Sequence, residues 1–160
     1  MADAERVYWD ACVFLAYINA EPGRIRDVDA ILTDASKGKI ELLTSTVTIA
    51  EVAFGAVEQK GQPLEKAIED KINRLWVPPS PVRLVEFHAL IAADAVRLMR
   101  EVRPASLSLK PMDAIHLATA RRLEVVRFET YDDLAKFSPF VGIPILPPAP
   151  HQPSLLDEAT

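Results

Sequence analysis

Cysteine is nearly absent from this chain. Cys12 is the only one in 160 residues, so no internal disulfide framework can form, and the composition fits a reducing compartment. Glycine is scarce, with five residues, and none of them builds a Gly-rich phosphate loop, which leaves nucleotide-dependent chemistry without support. No apolar run approaches the ~18 residues of a membrane span. The N-terminus lacks a basic segment ahead of an apolar one, and Asp10 interrupts the only early apolar run, so no secretory signal is expected. Positive charge is not in excess either. Eighteen Lys and Arg stand against 23 Asp and Glu, for a formal net charge of −5 and a pI near 5.2. There is no overall basic field to coat nucleic acid, though a small local site remains open. A cytosolic protein that does not enter a membrane is expected.

Apolar residues make up 49% of the chain, enough for one domain with a real core. Strand and helix signals alternate along it. Arg6 to Trp9 reads as a first strand ending at Asp10, and Ala11 to Ile18 as a buried helix stopped near Pro22-Gly23. Val28, Ile31, Leu32 and Ala35 sit at helical spacing in a segment from about Ile25 to Ser36, which Gly38 ends. A second strand, Ile40 to Thr44, leads through Ser45 or Thr46 as a cap to a helix from Val47 to Phe54 that carries Glu51 among apolar neighbours. Gly61-Gln62-Pro63 breaks the pattern before an amphipathic helix from Leu64 to Leu75. These two helices together suggest a protruding hairpin, a natural surface for a partner or a second copy. Val82 to Val85 is a third strand, and Phe87 to Val102 the longest helix.

The stretch from Ser108 to Asp133 organises the rest. Pro111 suits a first helical turn, where its missing N–H is no loss. Met112 to Ala120 follows without a breaker and is apolar or small at nearly every position, so this helix is buried on most sides. Glu124 to Phe128 reads as a β-branched strand, with Thr130-Tyr131-Asp132-Asp133 just past its end. A short strand at Gly142 to Leu146 closes the domain, residues 1–146. The tail, 147–160, holds Pro147, Pro148, Pro150 and Pro153 and favours extended conformations. No internal repeat is visible.

Alternation of this kind predicts an α/β fold with a parallel sheet covered on both faces. The right-handed crossover rule lets the ends of the first, second and fourth strands converge on one edge. Those ends deliver Asp10, Glu51, Asp113 and Asp132, with Asp133 as a substitute for the last. Four carboxylates in one cleft repel one another and lose hydration. A hard cation such as Mg²⁺ or Mn²⁺ removes the conflict and retains waters for substrate. At a phosphodiester it would neutralise the phosphate and acidify an attacking water. The chemistry suggested is metal-dependent phosphodiester hydrolysis.

Four segments carry a family resemblance: Tyr8-Trp9-Asp10-Ala11-Cys12-Val13, Thr46 to Val52 around Glu51, Met112 to Ala120 around Asp113, and Thr130-Tyr131-Asp132. Together they resemble the acidic motifs of PIN domains, the third being the most specific, and the compact size is similar to that of VapC-type toxins. The resemblance covers roughly Arg6 to Leu146. It implies a three-layer α/β/α sandwich, Mg²⁺- or Mn²⁺-dependent endoribonuclease activity on RNA, and inhibition by a cognate antitoxin protein, with a homodimer expected. Carried over residue by residue, the metal-binding and catalytic acids are Asp10, Glu51, Asp113 and Asp132. Ala11 and Cys12 depart from the pattern, which often has Thr or Ser and then Asn or Ser. A hydroxyl that would orient Asp10 is therefore missing from this position.

Blander readings stand beside these. Asp113 alone would suit a helix N-terminus, Glu51 a solvated helix, and Asp132 a turn. His116, one turn after Asp113, reads as a satisfied core or interface histidine before it reads as a group near a metal. His88 and Cys12 read as structural, and Asp94 as an outer-shell or helix-pairing residue. Arg97, Arg100 and Arg103 form a basic strip for phosphates or a solvated face, while Lys110 is better placed for substrate. A haloacid-dehalogenase-type phosphatase would need a second Asp where Cys12 stands, and a phospho-receiver an acid pair on the first strand. The serious rival is a PIN-like binding or scaffold module without strong nuclease activity.

Overall fold

A computed structural model describes residues 3–58, 61 and 63–150. Gln62, in the expected break, and residues 151–160 of the expected tail lie outside that range. Five parallel strands form one sheet: β1 (Glu5–Trp9), β2 (Ile40–Ser45), β3 (Val82–Val85), β4 (Arg127–Glu129) and β5 (Ile145–Leu146). Their order is β3-β2-β1-β4-β5, and every pairing is parallel, with Tyr8 beside both Leu43 and Phe128.

β1 is the central strand, and its alternation divides the core. Val7, Tyr8 and Trp9 are all fully buried, as a strand covered on both faces requires. Val7 and Trp9 enter one apolar cluster with α1 (Ala11–Ile18), α2 (Ile25–Ser36), α3 (Val47–Glu58) and α4 (Lys66–Leu75). Tyr8 enters the other with α5 (Ala89–Glu101), α6 (Pro111–Arg122) and α7 (Ser138–Val141). The result is the three-layer α/β/α sandwich.

The chain runs outward from β1 through β2 to β3, then crosses back to β4 on the other side of β1. The strand order thus reverses between β1 and β4. In open parallel sheets the crevice at such a reversal, outside the carboxyl ends of the strands, is where ligands bind.

Three expectations are adjusted. The fourth strand begins at Arg127 rather than Glu124, because Glu124 lies at φ +52 in the turn that ends α6. There Glu124 N–H bonds Arg121 O and Val125 N–H bonds Ala120 O, the paired bonds of a left-handed helix terminus. The last strand is likewise shorter than expected, Ile145–Leu146. The pair α3–α4 is packed down along one face rather than standing off the domain: Val52, Ala56, Ile72 and Leu75 are buried in the α1 cluster. At Gly55 an added Cβ would lie 2.8 Å from a methyl of Leu15, so that side chain of α1 would have to turn aside to admit one on α3.

The first residues of the Pro-rich segment also lie on the domain. Pro148 is buried, and the Ala149 N–H donates to Glu129 at 3.2 Å.

Candidate metal and active site

Asp10 is the residue immediately after β1 and lies at the floor of the crevice, 3% exposed. Its side chain is held from both sides. The Cys12 thiol donates to Oδ1 at 2.9 Å, and the Thr130 hydroxyl donates to Oδ2 at 2.7 Å. Sγ of Cys12 in turn accepts the Tyr131 N–H, and the Thr130 oxygen accepts the Asp132 N–H at 3.0 Å. The loop after β4 is therefore stitched to the start of α1 through the two groups that orient Asp10. This supplies the orienting donors that Ala11 and Cys12 left in question. A thiol replaces one hydroxyl, and Thr130 provides another from across the sheet.

Burial raises the Asp10 carboxyl from 3.8 to about 6; the Cys12 and Thr130 hydrogen bonds work against that rise, and the charge of Asp132 adds to it. The Cys12 thiol is pushed far upward by burial and by Asp10, so it stays protonated and donates.

Asp132 stands at the exposed rim past β4. One oxygen each from Asp10 and Asp132, together with the Cys12 sulfur, lie within 4.8 Å of one another. Asp113 is half-buried in the first turn of α6. Its carboxyl is raised by burial first and by the charge of Asp132 second, with Glu51 adding a smaller push and Lys110 opposing. Glu51, on α3, is held by a chain of hydrogen bonds: His116 Nε2 lies 2.6 Å from its Oε1, and His116 Nδ1 lies 2.8 Å from the Tyr8 hydroxyl. The four expected acids thus come from the end of β1, α3, α6 and the loop after β4; among the described residues the group close enough to share one ion is Asp10 and Asp132 with Cys12, and Glu51 and Asp113 lie outside it. Asp133 instead pairs with Lys136 at 3.1 Å.

A further acid went unnoticed in the sequence. Glu129, the last residue of β4, is fully buried, but it faces the α1 side of the sheet. It accepts from Trp9 Nε1 at 2.8 Å and pairs with Arg127 at 3.1 Å. Its partners make it a structural group. Asp94 bridges α5 to α6, accepting from Arg97 and, at 2.8 Å, from Arg122. The basic strip is accordingly neutralised in part. His88 is the exposed residue ahead of α5.

A parallel α/β sandwich with carboxylates gathered at the reversal of its strand order is a class built to hold a cation or a charged ligand. Residues 7–137 match the PIN domain family, and the chain belongs to it. None of the curated proteins searched matches. Solved structures share the fold at low identity. Mycobacterium tuberculosis VapC20, described as a Sarcin-Ricin loop cleaving toxin, is 17% identical with a TM-score of 0.63, over 84% of this chain and 94% of that one. VapBC2 from Rickettsia felis, bound to a DNA fragment from its promoter, is 15% identical with a TM-score of 0.68, over 88% and 96%. FitAcB from Neisseria gonorrhoeae is 16% identical with a TM-score of 0.64, over 89% and 97%.

Proposed function

We propose that this protein is a divalent-metal-dependent endoribonuclease that acts in the cytosol as the toxin of a toxin–antitoxin pair. The observation that carries the reading is the buried, doubly oriented Asp10 with Asp132 beside it at the β1/β4 crevice. The donor set fits Mg²⁺ or Mn²⁺. Its available ligands are carboxylate oxygens, since the thiol of Cys12 keeps its proton for Asp10, and hard cations take oxygen. Asp10, Glu51, Asp113 and Asp132 would hold the ion. When bound, it would neutralise a phosphodiester and make an attacking water more acidic.

The chain's own contributions follow from geometry and burial. Asp10 is fixed by two donors and needs no reorganisation to present its free lone pairs. Asp132 lies at the rim, on the side from which a polymer approaches. Lys110 precedes Asp113 and is exposed, placed to meet a neighbouring phosphate without reading a base. The Asp10 and Asp113 carboxyls are raised by burial first and by the charge of Asp132 to a lesser degree, and a cation would offset both costs.

An antitoxin partner is supported by the neighbours, several of which are VapBC or FitAB complexes. Such a partner would place an Arg or Lys among the carboxylates. A second copy of the chain is supported by Phe54 and Leu90, which are 66% and 61% exposed and are large apolar side chains for a lone chain to leave in water.

The test is cleavage of a structured RNA by purified protein. Mg²⁺ or Mn²⁺ should support cutting, EDTA should stop it, and Asp113→Asn should lose it while remaining folded. A folded parent that cuts no RNA under any divalent ion would leave the binding-module reading in its place.

A further inference from the structure

We infer that His116 is a positioning residue for Glu51, fixed in one tautomer by Tyr8, so that a single oxygen of Glu51 is left free to face a bound cation. The inference rests on the metal-site reading above and concerns residues outside the four acids.

The direction of the chain follows from counting protons. The Ser45 backbone N–H can only donate, and it donates to the Tyr8 oxygen at 3.1 Å. The phenol is fully buried and carries a hydrogen to donate. With Ser45 donating to the oxygen, we place that hydrogen on the line to His116 Nδ1, 2.8 Å away. With Nδ1 accepting, the imidazole carries its proton on Nε2, which points at Glu51 Oε1 from 2.6 Å. His116 itself is 2% exposed, and the ring of Tyr8 meets it edge-on at 5.8 Å between centroids. Packing and hydrogen bonding therefore hold the ring in one place.

The placement of the links ties this chain to the acids. Tyr8 is two residues before Asp10 on β1, and His116 is one helical turn after Asp113 on α6. Ser45 ends β2, directly ahead of the helix that carries Glu51. A shift of any of these elements that would misplace one acid also strains the donor that orients another. With His116 on Oε1, Oε2 would be the oxygen of Glu51 left free for a cation. Groups that orient a ligand in this way typically change metal affinity by about 10–100-fold when removed.

Two readouts on the full-length chain test this apart from nuclease activity. Long-range proton–nitrogen NMR of the metal-free protein should show His116 with a protonated Nε2 and a bare Nδ1. Calorimetric titration with Mn²⁺ should show about 10–100-fold weaker binding in His116→Met. His116→Gln, whose amide N–H can reach the same oxygen, should recover most of the loss. Tyr8→Phe should let both tautomers appear in the NMR spectrum and weaken Mn²⁺ binding by a smaller factor. A protonated Nδ1 in the parent, or a folded His116→Met that binds Mn²⁺ as tightly as the parent, overturns the inference. A parent that shows the predicted tautomer and binding series yet cuts no RNA supports it and defeats the nuclease reading instead. A parent that binds no Mn²⁺ overturns both.

Discussion

Replacing Asp10 with Asn should stabilise the metal-free protein at neutral pH, although Asp10 is buried and makes two hydrogen bonds. Its carboxyl lies at about 6 in the fold against 3.8 unfolded. The folded state therefore binds the proton more tightly, and between those values it holds more protons than the unfolded chain. Stability must then fall as pH rises from about 4 to about 6 and stay reduced above it. A difference of about two units corresponds to ~3 kcal/mol. Asn carries no charge to desolvate, but it offers one acceptor oxygen where Asp offers two. Remaking the Cys12 or Thr130 bond should cost about 1 kcal/mol. The net expectation is a variant more stable by ~2 kcal/mol at pH 7.5 in EDTA, a rise of roughly 6 °C in Tm for a domain of this size. Near pH 4 the charge cost vanishes, and the variant should be the less stable of the two by ~1 kcal/mol. Thermal melts of both proteins from pH 4 to 8 read this directly. An Asp10→Asn protein less stable than its parent at pH 7.5, or a gap that does not change with pH, would refute the reasoning.

Other substitutions should separate structure from chemistry. Burial raises the Glu129 carboxyl against its bonds to Trp9 and Arg127, so Glu129→Gln removes a charge cost together with the Arg127 pair and should change stability by no more than ~1 kcal/mol in urea unfolding; a loss of several kcal/mol would mean that the pair outweighs the burial of the charge. Lys110→Ala should raise KM for RNA several-fold with little change in kcat, because a phosphate contact positions without entering the chemistry; a large fall in kcat at unchanged KM would place Lys110 closer to the reacting atoms. Phe54→Glu should shift sedimentation of a dimer toward monomer without lowering Tm, since 66% of the side chain is already in solvent. If the dimer persists, its interface lies elsewhere.

Much of the fold was legible because local signals and tertiary packing agree. The helix from Ile25 to Ser36 and the strand from Val82 to Val85 have the bounds that the sequence suggests. Gly38, at φ +72, ends that helix as only an unbranched backbone does without strain. The four acids could be picked out as candidates because each follows a strand end or opens a buried helix. Glu124 was misread for the opposite reason: a non-glycine residue in the left-handed region carries no sequence signal, and the β-branched Val125 and Val126 extend the apparent strand. The orienting groups were harder still. Thr130 lies 120 residues from Asp10, and Tyr8 lies 108 from His116. A lone Cys, Thr or His gives no hint of such partners until the sheet order brings β1 and β4 together. Glu129 gave no signal of its own, because the face taken by the last residue of a short strand is not visible until the register sets it beside Trp9.

The central claim is that these acids hold a divalent ion which lets water attack an RNA phosphodiester. The most direct measurement is the chemistry of the product ends, taken from one labelled RNA cut by the purified protein with Mn²⁺ and with EDTA. Attack by water should leave a free hydroxyl on one fragment and a linear phosphate monoester on the other, with no product in EDTA and none from folded Asp113→Asn. Fragments ending in a 2′,3′-cyclic phosphate, formed equally well in EDTA, would mean that the ribose hydroxyl attacks without a metal and would contradict the account.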